Sequence, residues 1–340
     1  MLSTAVAPLA PKALRFGKLY GSSDAFALAR AALSRHPLVI ISASAVDAQR
    51  LREEIVWFAP ALRVSLFPDW ETLPYDSFSP HQDLVSQRLE TLYHISTGNC
   101  DVVIVPASTA LYRLPPPAYL AAYTFFLKTG EKLDSAKLRT QLTIAGYDHV
   151  TQVVAPGEYC VRGGLIDLFP MGSALPYRID LVDEEIESIR SFDVDTQRTI
   201  YKVNEVRLLP AREFAMDENA RIGFRARFRD AFEGDPSRSP VYKDVSHGIA
   251  PAGIEYYLPL FFDQTGTLFD YLPKDAGIVL HHDVHASIEA FWKDAQSRYM
   301  LLKGDATRPL LPPTSLFLTA EHFFIATKSF ERLDLPTIDI

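Results

Sequence analysis

The stretch Glu158–Arg198, EYCVRGGLIDLFPMGSALPYRIDLVDEEIESIRSFDVDTQR, decides how the chain is read. Short apolar runs alternate with Gly, Pro and Asp, the pattern of several strands joined by turns. In Tyr177–Val182, successive side chains take opposite faces of the sheet. Tyr177, Ile179 and Leu181 form an apolar face that should meet a core. Arg178, Asp180 and Val182 form the other face, which should meet solvent. Glu158–Arg162 behaves likewise, with Glu158, Cys160 and Arg162 opposite Tyr159 and Val161. A small sheet that offers two arginines and an apolar spot to solvent has the makings of a protein-docking surface. Val182-Asp183-Glu184-Glu185 looks like an acidic magnesium motif, but such motifs end continuously apolar buried strands. This strand alternates, so a hairpin turn is expected there.

Outward from this stretch, the chain alternates helix and strand on both sides. Before it, helices are expected at Asp24–Ser34 (capped by Ser22, Ser23 or Asp24), Ala45–Phe58, Gln82–Thr97 and from Ala107. Buried strands are expected at Leu38–Ser42, Val64–Phe67 and Asp101–Val105. Leu114-Pro115-Pro116-Pro117 breaks the pattern. A strand at Tyr123–Lys128, a helix at Asp134–Ala145 and the strands up to Leu208 then form a small α+β unit. Helical patterns return at Asp217–Phe232 and Asp283–Leu302. The strand Ile278–His281, a strand at Leu316–Leu318 and a helix at Glu321–Lys328 complete the reading. The expected fold is α/β: a parallel sheet covered by helices, split by an inserted α+β domain. The expected boundaries are 1–118, 119–208 and 209–340.

Composition excludes several classes. No apolar run approaches the roughly 18 residues of a membrane span. The start, MLSTAVAPLAPKALRFGK, lacks a basic n-region and is expected to be a disordered or loosely packed lead, not a signal peptide. Cys100 and Cys160 suggest no disulfide framework, so a reducing cytoplasm is the default. A net charge of −8 argues against a general nucleic-acid binder, because phosphate binding needs a basic surface. The best local basic cluster is Arg221, Arg225, Arg227 and Arg229. It is expected to be the solvated face of a helix whose other face carries Ile222, Phe224, Phe228 and Phe232. His281-His282-Asp283-x-His285 offers metal donors close together, but a zinc site needs three or four converging ligands, neither cysteine is nearby in sequence, and Asp283 serves as a helix N-cap. No metal site is expected. Tyr256, Tyr257, Phe261 and Phe262 lack interleaved basic residues and read as core. No Ser/His/Asp or Cys/His arrangement stands out.

Arg162-Gly163-Gly164-Leu165-Ile166-Asp167-Leu168-Phe169-Pro170, Tyr177-Arg178-Ile179-Asp180 and Asp183-Glu184-Glu185-Ile186-Glu187 resemble domain 2 of the repair protein UvrB. The resemblance is closer to the UvrB-like N-terminal module of bacterial transcription-repair coupling factors. Asp69–Asp83 (DWETLPYDSFSPHQD), Pro251–Tyr257 (PAGIEYY) and Arg308–Pro313 (RPLLPP) resemble signatures of the same family, so the likeness covers nearly the whole chain.

That resemblance implies a split helicase-like domain with an inserted UvrA-binding domain. It implies recruitment of the excision-repair machinery through UvrA, with RNA polymerase, DNA, ATP and magnesium handled by downstream domains of the family protein. Arg162 and Arg178 match two family arginines that contact UvrA, and Val182 stands where the family has phenylalanine. UvrB's P-loop falls at Leu19–Leu28 here. Gly21 remains, but Phe26 and Ala27 replace the second glycine and the lysine, and Asp24 adds negative charge. No ATP hydrolysis and no cofactor are therefore expected of this chain. The segment is too short to hold UvrB's aromatic hairpin. The alternatives are a UvrB-like helicase module and a DNA-binding module.

Overall fold

The computed structural model describes residues 14–15, 19–34 and 37–335; for 14, 15, 334 and 335 it describes the backbone alone. Of the expected lead, residues 1–18, Leu14–Arg15 form a strand and not a loosely packed segment, and residues 1–13 and 16–18 lie outside the described residues. In chain order the strands are β1 (Leu14–Arg15), β2 (Leu38–Ser42), β3 (Val64–Leu66), β4 (Val102–Pro106), β5 (Phe125–Lys128), β6 (Asp148–His149) and β7 (Glu158–Arg162). They continue with β8 (Leu165–Leu168), β9 (Tyr177–Val182), β10 (Glu185–Phe192), β11 (Thr199–Val203), β12 (Glu205–Leu208), β13 (Gly277–His281) and β14 (Glu331–Leu335).

β1, β14, β13, β2, β4 and β3 lie side by side in that order, all parallel. β2 (LVIIS), β4 (VVIVP) and β13 (GIVLH) are buried at every position. Such runs suit strands covered on both faces, and each buried Ile, Leu or Val contributes about 1.5–3 kcal/mol. Helices Ser23–Ala32 and Ala45–Phe58 cover one face through Leu28, Leu51 and Ile55. Helix Val284–Leu302 packs on the other face through Val284, Ile288 and Ala295. Ser44, Asp134, Asp217 and Asp283 cap the helices they precede, each accepting from a backbone N–H of the first turn.

The middle of the chain forms a second sheet, β11-β10-β9-β8-β7-β6, antiparallel except for β6 beside β7. β5 enters this region and β12 leaves it, paired antiparallel from Phe125 opposite Leu208 to Lys128 opposite Glu205. The apolar face of the second sheet carries Ile166, Leu168, Ile179, Ile186 and Ile189, joined by Leu138 and Leu142 of helix Ser135–Ile144. The Val182–Glu185 turn is a two-residue hairpin, as expected, with Val182 opposite Glu185. Asp183 (φ 50°) and Glu184 (φ 65°) both take the left-handed conformation a type I′ turn requires.

This inserted region sits hard against the parallel-sheet body. The Gly172 N–H donates to Ser86 Oγ at 2.8 Å. A Cβ on Gly172 would meet Leu209 Cδ1 at 2.9 Å, and one on Gly157 would meet Gln82 Nε2 at 2.7 Å. The fully buried Arg88 donates to Glu213 Oε1 (2.9 Å) and to the Pro68 carbonyl (2.9 Å), and its guanidinium lies over Phe67 and Trp70. Trp70 Nε1 donates to the other Glu213 oxygen at 3.0 Å.

Several expectations need correction. Leu316–Leu318 is no strand: Pro313 opens a short helix, Pro313–Leu316, and Phe317 makes one isolated bridge to Tyr112. The strand expected from Tyr123 begins at Phe125, because Pro117 opens helix Pro117–Ala122 and Tyr123 ends it. Ile222 is exposed, not part of the apolar face of its helix. Three of the four arginines expected on its solvated face are tied to neighbours. Arg221 bonds Glu218 and the Ser246 carbonyl, Arg227 bonds Asp263 and the Leu260 carbonyl, and Arg229 bonds Tyr242. Tyr256, Tyr257 and Phe261 are core, as expected, in the 3-10 helix Ile254–Phe261.

Candidate functional site

The polar face of the second sheet is built from β7 to β11. Asp167 on β8 lies opposite Cys160 on β7 and Arg178 on β9, and Arg178 lies opposite Arg190 on β10. Arg190 in turn faces Lys202 on β11. The side chains of Asp167, Arg178, Arg190 and Lys202 thus form a row across four strands, with three like charges adjacent. Like charges directly opposite repel, and two carboxylates offset this. Asp180 accepts from Arg190 and from Ser188 Oγ (2.6 Å). Asp167, 2 % exposed, accepts from both Arg178 and Arg162.

The two arginines singled out in the sequence therefore converge on one buried carboxylate, but they are not equivalent. Arg162 bonds Asp167 Oδ2 at 2.5 Å with half its side chain in solvent, 52 % exposed. Arg178, only 17 % exposed, also bonds the Gln197 carbonyl and lies over the Phe192 ring. The expectation of a freely exposed Arg178 is corrected on this point. Cys160 is likewise buried, not solvent-facing, because Val153, Phe169 and Phe192 close over it in a small second core. Alternation put these side chains on the right face; it carried no signal for the loops that cover half of that face. Val182, at the hairpin, is 52 % exposed. Between the hairpin and β11 the face opens into a shallow groove lined by Arg162, Leu165, Asp180, Val182, Arg190 and Lys202. Asp167, Arg190 and Lys202 were missed from sequence; their signal was the same strand alternation, which places Asp167 beside Arg178.

Gly21 (φ 57°) lies in the turn before helix Ser23–Ala32, Phe26 is exposed on that helix and Ala27 is half-buried. Asp24 is the residue at the centre of this region. It accepts from Arg50 Nη2 (2.7 Å), from its neighbour's N–H at Ala25 (2.6 Å), and from His281 Nε2 (2.8 Å). Burial alone would raise its pKa, but the His281 and Arg50 hydrogen bonds hold it well below the ordinary carboxylate range.

Among the described residues, Asp24, His281 and His282 bring one donor atom each within 4.8 Å of one another. His285 is not with them: it stacks on Phe324. Both Asp24 oxygens are already engaged, and the His281 and His282 rings lie face to face, 3.8 Å apart at 28°. Asp283 caps helix Val284–Leu302 through the Ala286 N–H at 2.9 Å.

The remaining motif stretches are structural. Tyr75 Oη donates to the Leu311 carbonyl (2.8 Å), Arg308 to the carbonyls of Tyr75 and Asp76, and Ser79 Oγ to Glu255 (2.9 Å). Gly253 has φ 76°, and a Cβ there would meet the Asp76 carbonyl at 2.8 Å. Residues 69–83, 251–257 and 308–313 thus knot together three distant parts of the body. Among the described residues no helix is long and apolar enough to cross a membrane.

Comparison with known proteins agrees with this architecture. The family described as "UvrB interaction domain" matches residues 125–214, from the start of β5 to just past β12. The chain is 46 % identical over 324 residues to the transcription-repair-coupling factor of Escherichia coli, covering 94 % of this chain and 28 % of that protein. It is 43 % identical over 323 residues to that of Haemophilus influenzae, covering 93 % and 28 %. With the Bacillus subtilis protein, identity is 27 % over 278 residues, covering 77 % and 24 %. The chain spans about a quarter of the length of these relatives. The similarity runs through both the body and the inserted region, so the chain belongs to the transcription-repair coupling factor family, as its N-terminal UvrB-like module.

Proposed function

We propose that this chain recruits the excision-repair machinery by docking UvrA on the polar face of the inserted domain, residues 119–208, which we read as equivalent to UvrB domain 2. One observation carries the reading. Arg162 stands half in solvent at the mouth of a groove, aimed by the buried Asp167 and backed by Arg178, with the apolar Val182 beside it. An arginine held in place loses little freedom on pairing, and its fork matches a carboxylate, so the UvrA surface should be acidic. Arg162 makes the contact, Arg178 positions it, and Val182 supplies a smaller apolar contact than the family's phenylalanine.

In this reading the body, residues 1–118 and 209–340, is a helicase-like domain with a degenerate P-loop at Gly21, Phe26 and Ala27. It hydrolyses no ATP and carries no cofactor. In the full-length family protein, a downstream ATP- and magnesium-dependent translocase displaces stalled RNA polymerase from DNA, and this module then hands the site to UvrA in the bacterial cytoplasm. ATP turnover that follows protein concentration through repurification, with or without DNA, would contradict the silent body.

Binding to purified UvrA tests the docking face. Arg162→Ala should weaken it by tens of fold or more, since truncating an interface arginine costs about 2–5 kcal/mol, and the binding should weaken with salt. Val182→Phe should strengthen it. Undiminished binding by a folded Arg162→Ala, Arg178→Ala double variant would place the interface elsewhere.

A further inference from the structure

The inserted region and the body leave a cavity of about 180 Å³ where they meet. Gly146 and Asp148 line it from the insert, Ser79, Gln82 and Glu255 from the body, and Arg212 and Glu213 from the segment that follows β12. The half-buried Arg212 stands out. Its stem lies across Gly146, which takes φ 90°; a Cβ there would meet Arg212 Cγ at 2.8 Å and Cδ at 2.9 Å. The glycine makes room for the arginine and fixes its course. Among the described residues, the Arg212 guanidinium makes no hydrogen bond and no ion pair. Burial lowers its pKa from the ordinary arginine value, although Asp148, Tyr119 and Glu255 pull the other way. A desolvated group with five N–H donors and no acceptor of its own calls for a partner.

None of the cavity's carboxylates fills that role. Glu213 is buried and engaged by Arg88 and Trp70. Asp148 is exposed on β6. Glu255 accepts from Ser79 Oγ at 2.9 Å, and burial raises its pKa to about 7, so at lower pH it is a neutral carboxyl with a proton to donate. We propose that the cavity binds a small carboxylate monoanion, with Arg212 supplying the fork and Glu255 a second hydrogen bond. At ~30 Å³ each, roughly six waters fill such a space, which suits acetate or lactate and is too small for a peptide or a nucleotide. Asp148 and Glu213 repel a second negative charge, which selects a monoanion over a phosphate dianion. The bound anion would bridge the segment leaving the insert, through Arg212, to the body, through Glu255.

The test is calorimetry and melting of the whole chain with sodium acetate, against sodium chloride at equal ionic strength. Acetate should bind in the millimolar range at pH 6 and raise the melting temperature. Four residues face Glu255: Ser79 from the body, Arg212 and Glu213 from the segment after β12, and Asp148 across the cavity. A neutral Glu255 donates to the anion and an ionised one repels it, so affinity should fall about tenfold from pH 6 to pH 8. Glu255→Gln, which keeps a neutral donor, should bind acetate equally at both pH values. Arg212→Met should weaken acetate binding at least about tenfold and cancel the melting gain; Arg212→Gln serves if the methionine variant does not fold. Inorganic phosphate at pH 8 should stabilise the unaltered chain no more than it stabilises the Arg212 variant. Acetate that stabilises both chains equally, or that binds the unaltered chain equally at pH 6 and pH 8, would overturn the proposal. UvrA plays no part in this readout, so its outcome is independent of the docking face.

Discussion

Arg178 grips Asp167 at two points, Nε to Oδ1 at 2.7 Å and Nη2 to Oδ2 at 2.9 Å. The carboxylate is buried and Arg162 takes a third bond to it. This grip separates the two arginines by role.

Arg178→Ala should destabilise the chain by about 2–4 kcal/mol, because it removes the main partner of a buried charge. Arg162→Ala should change stability by less than about 1 kcal/mol, because its pair is half in solvent. Both should weaken UvrA binding. Urea melts alongside binding isotherms check this, and equal melts for the two variants would show that Arg178 does not organise the face.

Glu184→Gly should stabilise the hairpin by about 0.5–1 kcal/mol, since glycine takes φ 65° without the Cβ penalty. The gain should appear as a higher urea midpoint with an unchanged slope.

Arg88 and Glu213 are both buried and tie the body to the segment that leaves the inserted sheet. Glu213→Ala strands Arg88 and should cost about 3–5 kcal/mol. Replacing both, as Arg88→Met with Glu213→Leu, should recover most of that loss. Equilibrium denaturation of the three proteins decides it.

Burial pushes the Glu255 carboxyl up from 4.5 to about 7, with Glu213 nearby adding to the rise. The folded chain therefore holds this proton more tightly than the unfolded one. Below pH 4.5 the penalty is absent; it grows as pH rises to about 7 and is complete above that. Glu255→Gln should remove it and be more stable than the unaltered chain at pH 8 by on the order of 1–2 kcal/mol, with little advantage at pH 4. Melts at the two pH values test the sign.

The parallel sheet was legible because β2, β4 and β13 are unbroken apolar runs between amphipathic helices. β14 was not: Glu331, Arg332 and Asp334 interrupt its apolar pattern, and it is recruited by pairing with β13. The polar face of the second sheet was half legible. Period-2 alternation put Arg162, Arg178 and Val182 on one side of the sheet, and they lie there. The depth of Arg178 and Cys160 was hidden, because Val153 from the loop before β7 and Phe192 from the end of β10 close over that face. The Asp24 network was hidden because Arg50 and His281, far away in sequence, are brought to it by the order of the parallel sheet.

The seating of Gly157 against Gln82 and of Gly172 against Ser86 has a directional consequence. The inserted region leaves and rejoins the body through the paired β5 and β12, and these close approaches remove the swing such a two-strand stalk would otherwise permit. It behaves as a bracket bolted to a wall. Whatever grips the polar face inherits a fixed bearing relative to the parallel sheet, and a torque applied to one is delivered to the other.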